Sequence, residues 1–221
     1  MVRGMLRLVV FNSAPAAVLS VGTSLHGLRP VRPTMFRNEV NGARWLEAVV
    51  SDHGTSLRLL PMNRRVCPGD PSKTAPRIGA ARSRNGGLSW TDLGIIIDTA
   101  RVAPDCETPN RYFAGGVGDF SVILNRSETD LYILFSTYDP AIEHQGVPIG
   151  RMRWSDRNEP QGNVAIWSRQ SWRYPTADPE GWIFPAASPI LRAAVSWHSR
   201  SRDVDAFWGP RCTGTPSWSA M

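Results

Sequence analysis

The feature that most restricts the fold of this chain is the shortness of its apolar runs. They span five to eight residues, each rich in β-branched or aromatic side chains and bounded by Gly, Asn, Asp or Pro. The main ones are Leu6–Phe11, Trp45–Ser51, Arg77–Arg82, Gly94–Asp98, Phe120–Leu124, Leu131–Thr137 and Gly146–Arg153. Such runs read as strands. No stretch sustains apolar residues at i, i+3, i+4 and i+7, so helices should be few and short. The 19 Gly and 18 Pro fit many tight turns, and 9 Trp supply large rings to fill space between sheets. Short strands in regular succession leave a sandwich, a barrel or a propeller.

The segment Asn125–Asp130 is polar and lies between two strand runs, which makes 120–137 a hairpin. The Pro-rich stretches Val31–Thr34, Pro68–Pro76 and Asp178–Pro189 read as loops. Leu57–Arg65 shows no recognisable pattern. Arg3 and Arg7 flank an apolar run that Asn12, Ser13 and Pro15 interrupt, short of the roughly 7–15 apolar residues of a signal h-region. A first strand of the folded domain is the expected use of this segment, and localisation stays open between cytoplasmic and secreted. No run approaches the roughly 18 apolar residues of a membrane span.

The net charge of +6 is nearly all arginine, with Lys73 the one lysine. The arginines are scattered singly apart from Arg64-Arg65, whereas a nucleic-acid face would cluster them. Neither nucleic acid nor membrane is an expected partner. Cys67, Cys106 and Cys212 form no metal-ligand spacing. Cys67 and Cys106 would be bridged in an exported protein, but two free thiols is the expectation. His26, His53, His144 and His198 are widely separated, so no metal site is expected, and no cofactor motif is present.

One turn narrows the choice of fold. Residues 83–90 read Ser83-Arg84-Asn85-Gly86-Gly87-Leu88-Ser89-Trp90. Asn85 can hydrogen-bond the turn backbone, Gly86 and Gly87 accept positive φ, and Trp90 can pack back over the hairpin. The segment resembles the Asp-box, Ser-x-Asp-x-Gly-x-Thr-Trp, a structural turn of propeller blades. A weaker echo stands at Ser51-Asp52-His53-Gly54, with Leu57 near the place of the Trp. Gly115–Val122 followed by Leu131–Ser136, then Arg151–Asp156 and Asp205–Pro210, are similar to blade strands of the five-bladed propeller glycosidases. Those enzymes are grouped with arabinanases, xylosidases and fructosidases, and the likeness is strongest to poorly characterised bacterial members. The resemblance implies an all-β, incomplete β-propeller of about three to four blades, at roughly 40–50 residues per blade.

What the resemblance implies for function is a glycoside-hydrolase-like protein acting on a carbohydrate. Cleavage of a glycoside needs one carboxylate as base or nucleophile and one protonated carboxyl as acid. Asp119, opening a strand after Gly115-Gly116-Val117-Gly118, and Asp205, at the analogous place further on, are the first candidates. Each is equally read as a turn-forming Asp. Glu39 and Glu47 are candidates for the remaining carboxyl, although a solvent-facing strand position is the plainer role for Glu47. Trp208 and Tyr112 are candidate sugar-stacking platforms. A carbohydrate-binding or interaction propeller without catalysis is the alternative.

A full five-bladed propeller needs on the order of 300 residues. We expect a partial propeller over 1–210 and an irregular tail over 211–221. One back-translation of the tail in a shifted frame spells a strand-like continuation, so a frameshift after Pro210 is the expected origin of a truncated chain. Self-association through exposed blade edges is expected in turn.

Overall fold

The computed structural model describes residues 8–12, 18–33, 35–37, 48–52, 55–99, 103–108, 110–138 and 144–196. They form strands and two short 3-10 turns, so the protein is all-β. β1 (Leu8–Asn12), β2 (Val18–Gly22) and β3 (Arg29–Pro33) make a small antiparallel sheet. β4 (Met35–Arg37), β5 (Ala48–Asp52), β6 (Thr55–Arg65), β7 (Thr74–Ser83) and β8 (Ser89–Ile97) make the first large sheet. Within it β5 to β8 form an antiparallel meander, and β4 lies parallel beside β8.

β9 (Val117–Leu124) and β10 (Asp130–Thr137) open the second large sheet. The chain leaves it through β11 (His144–Val147) and returns as β12 (Ile149–Arg153), β13 (Ala165–Ser168) and β14 (Ser171–Arg173). The resulting order is β9-β10-β12-β13-β14. A short hairpin, β15 (Thr176–Asp178) with β16 (Gly181–Ile183), follows, and β17 (Leu191–Ser196) pairs with β11.

The two large sheets share one core, because strand alternation sends every second residue to the same side. From the first sheet come Leu57, Leu59, Ile78, Ala80, Ile96 and Ile97. Leu131, Ile133 and Phe135 of β10, with Met152, Trp154 and Ile166, meet them from the second. The intervening residues of the first sheet face the other way, where Leu60, Met62, Ala81 and Trp90 form a second cluster. Arg58 belongs to that face, with its guanidinium 4.3 Å above the Trp90 ring. Burial pushes its pKa down to about 9, so it stays charged at neutral pH. Fully burying one such aliphatic or aromatic side chain contributes about 1.5–3 kcal/mol. Successive antiparallel sheets stacked over a core, with first strands β5 and β9 close together, have the layout of propeller blades. Among the described residues these sheets do not close into a ring.

Several expectations change. Leu57–Arg65, which shows no pattern as sequence, is the longest strand, β6, at 11 residues. It is buried on both faces over Leu57–Met62, so no alternation is visible, and Pro61 lies past the end of the described β5 pairing at Leu59. The loop expected at Val31–Thr34 is largely strand, since Pro30 and Pro33 sit in β3 at a sheet edge, where a missing N–H is tolerated. Asp178–Pro189 begins with part of the β15–β16 hairpin rather than continuous loop. Cys67 and Cys106 are not free thiols but a disulfide. The hairpin over 120–137 forms as expected.

Candidate site around Asp119

The geometry around Asp119 is built from a clamp at the start of β7. The Cys67–Cys106 disulfide ties the segment after β6 to the 103–108 stretch. Lys73 strengthens the tie, its Nζ donating to the carbonyls of Cys106 (2.6 Å) and Thr108 (2.8 Å). Thr74 then exchanges backbone hydrogen bonds with Tyr112 and Ala114, each 2.8 Å. Asn110 accepts from the Tyr112 and Phe113 N–H groups at 2.9 and 3.0 Å. Phe113 is thereby set against Tyr138, with ring centroids 4.3 Å apart in a stacked arrangement.

Tyr138 is buried and its hydroxyl donates to Asp119 Oδ2. The backbone makes that contact by a bulge. Phe135 pairs with Phe120, but Ser136 pairs with Gly118, leaving Asp119 as the extra residue of β9. Asp119 has φ 41°, in the left-handed region that non-glycine residues seldom occupy. A bulge of this kind re-aims a side chain, and such bulges concentrate near functional sites. The preceding turn requires glycine at 116, where φ is 98° and an added Cβ would run into the Pro76 backbone. Gly116 also accepts from the Tyr138 N–H at 2.8 Å, closing the loop on the same tyrosine.

Tyr112, Phe113, Tyr138 and Asp119 thus form one chain of contacts from solvent to a carboxylate. Tyr112 is 57% exposed and its ring centroid lies 6.3 Å from that of Phe113. Of the candidates expected from sequence, the structure brings together Asp119 and Tyr112. Glu39, Glu47, Asp205 and Trp208 lie outside the described residues. Phe113 and Tyr138 escape sequence reasoning because neither stands in a motif. Asp98 likewise stands in no motif. Burial pushes its carboxyl up, while the Thr99 N–H at 2.8 Å and the charges of Arg77 and Arg64 oppose the shift. Among the described residues no three His, Cys, Asp or Glu side chains converge as metal ligands, and no helix is long and apolar enough to cross a membrane.

The other motif, at 83–90, is a hairpin turn between β7 and β8. Asn85 Oδ1 accepts from the Ser89 N–H at 2.9 Å, and Ser83 Oγ accepts from the Gly87 N–H at 2.9 Å. Gly86 and Gly87 have φ of 68° and 85°. Trp90 is buried against the hairpin, its Nε1 donating to the Gly87 carbonyl at 3.0 Å.

Fold and site together define an all-β protein of stacked antiparallel sheets with an aromatic-lined, bulged carboxylate. No known family profile matches the sequence, and no curated protein matches it. Among solved structures it is similar to an exo-1,5-α-L-arabinanase from a bovine ruminal metagenomic library. The identity is 12% and the TM-score 0.35, over 85% of this chain and 95% of that one.

Proposed function

We propose that the protein is glycoside-hydrolase-like, acting on a carbohydrate through carboxylate acid/base chemistry, with Asp119 as the base or nucleophile. The observation that carries this reading is the left-handed bulge that turns Asp119 onto the Tyr138 hydroxyl. A backbone held in a sparsely populated conformation to aim one carboxylate is the kind of strain that functional sites retain. The hydroxyl donates to Oδ2 and holds the side chain in one orientation. Tyr112 is offered as the sugar-stacking platform, an exposed ring at the outer end of the same chain of contacts. Asp205, Glu47 and Glu39 are the candidates for the proton-donating partner, and Trp208 for a second platform. In this reading the turn at 83–90 belongs with the Asp-box and takes no part in the glycoside chemistry.

The test is hydrolysis of a panel of aryl glycosides, including arabinosides, by the parent chain and by Asp119→Asn and Glu47→Gln. Turnover by the parent that falls at least about a hundredfold in Asp119→Asn is expected, the order of one general acid/base group. Turnover unaffected by Asp119→Asn would remove Asp119 from the chemistry. The exposed Tyr112 favours a second reading, a carbohydrate-binding module without catalysis. Sugar binding that persists in both variants, with no parental turnover, is the result it requires.

A further inference from the structure

A cavity of about 270 Å³ opens at the far end of β7 and β8, lined by Arg82, Arg84, Asn85, Ser89 and Thr91. It is separate from the Asp119 site. Pro76, which touches the Asp119 loop, and Arg82 are six residues apart on β7, or about 20 Å at the rise of a strand. We propose that this cavity binds an anionic saccharide unit, a carboxylate- or sulfate-bearing sugar, with Arg82 and Arg84 holding the oxyanion.

The chemistry of the lining is one-sided. Among the described residues that line it none is acidic, while two carry guanidiniums and two carry hydroxyls. Arg82 is oriented by a hydrogen bond from Nη1 to Asn158 Oδ1 at 3.1 Å, and among the described residues its other N–H groups remain for a ligand. Arg84 is exposed just beyond the end of β7. Ser89 Oγ already accepts from Asn85 Nδ2 at 2.9 Å, so its own O–H is the part left to donate. Thr91 adds a further hydroxyl. A planar guanidinium matches carboxylate and sulfate geometry with two parallel bonds.

Size argues for more than a bare ion. The pocket is half open and, at about 270 Å³, roomier than one small oxyanion needs. A polar wall of hydroxyl and amide groups beside the charge suits the hydroxyls of a sugar ring. The sugar half of the proposal rests on the carbohydrate reading above, and the oxyanion half does not.

The experiment is calorimetric titration of the full chain with glucuronate, glucose, inorganic sulfate and acetate at low ionic strength, repeated with Arg84→Gln and Thr91→Val. Expected are binding of glucuronate tighter than sulfate or acetate, no binding of glucose, and at least about tenfold weakening in Arg84→Gln, the order for losing one charge-assisted bond. Arg84 is exposed, so this variant keeps the fold, and Thr91→Val keeps a β-branched residue in its strand. Sulfate and glucuronate binding equally reduces the site to one for free oxyanions and overturns the sugar half. Glucuronate affinity unchanged in Arg84→Gln, or no binding of any anion, overturns the whole. Because the readout is binding and not turnover, a failure of the Asp119 chemistry and a failure of this site are told apart.

Discussion

Trp90 joins three roles in one side chain: it fills the second core cluster, caps the β7–β8 hairpin through Nε1, and lies under the Arg58 guanidinium. Replacing it by Ala is expected to cost about 3–5 kcal/mol in chemical denaturation, the range for losing a large buried aromatic. Arg84→Ala, at an exposed position of the same turn, should stay within about 0.5 kcal/mol, so equal losses in the two variants would contradict this packing. Asp98 supplies a pH-dependent counterpart. Burial holds its carboxyl above the ordinary value, so the folded state binds the proton more tightly than the unfolded chain. The stability it contributes is complete below the unfolded value of about 3.9 and is lost as the pH rises through the folded one. In Asp98→Asn the side chain stays neutral and still accepts from Thr99. Its stability relative to the parent should therefore grow between pH 4 and pH 7, and a difference independent of pH would refute the assignment.

Hairpins and the clamp govern the elements. Two turns use the same local chemistry, although only one resembles a known motif. Asn85 accepts from the Ser89 N–H and donates to Ser89 Oγ, and Asn125 does the same to Thr129, at 2.8 and 2.9 Å. The shared signal is Asn followed four residues later by Ser or Thr. Asn125→Ala should destabilise by about 0.5–1.5 kcal/mol, because the Thr129 and Asp130 N–H groups lose their shared acceptor. A thermal melt unchanged from the parent would deny the turn that role. The disulfide closes a loop of 39 residues, for which chain entropy alone gives about 4 kcal/mol. Reduction, or Cys67→Ser, is expected to lower the melting temperature and to weaken whatever function depends on Asp119, since Phe113 and Tyr138 stand on that clamp. An unaltered melt under reducing conditions would argue that the segment is held without the bridge.

For the whole molecule, the telling feature is the open edges of the described sheets. β5 and β9 are each a terminal strand of their sheet, and Val49 on β5 is 41% exposed. A terminal strand with an outward apolar residue is a template for pairing with another chain. We expect self-association that increases with concentration in sedimentation velocity. A strictly monomeric species with one cooperative calorimetric transition would show that these edges are protected in solution.

The strand-and-turn grammar of this protein is legible in its sequence because it is local. Alternation, β-branched runs and turn residues act within a few positions of each other, which is why 120–137 and 83–90 can be read directly. Asp119 stands out as a candidate for the same reason, following a glycine run at the start of a strand. What no local rule reveals is β6, whose burial on both faces erases its alternation, and the pairing of Cys67 with Cys106 across 39 residues. The bulge at Asp119 and its hold by Tyr138 and Phe113 likewise depend on register between strands. The proposed oxyanion pocket depends on Asn158, in the 3-10 turn after β12, reaching Arg82. Local sequence marks many of the strands and the turns at 83–90 and 125–130, since those choices are made by nearest neighbours. Tertiary structure alone decided which side chains meet, because contacts between sheets are set by the packing of a shared core.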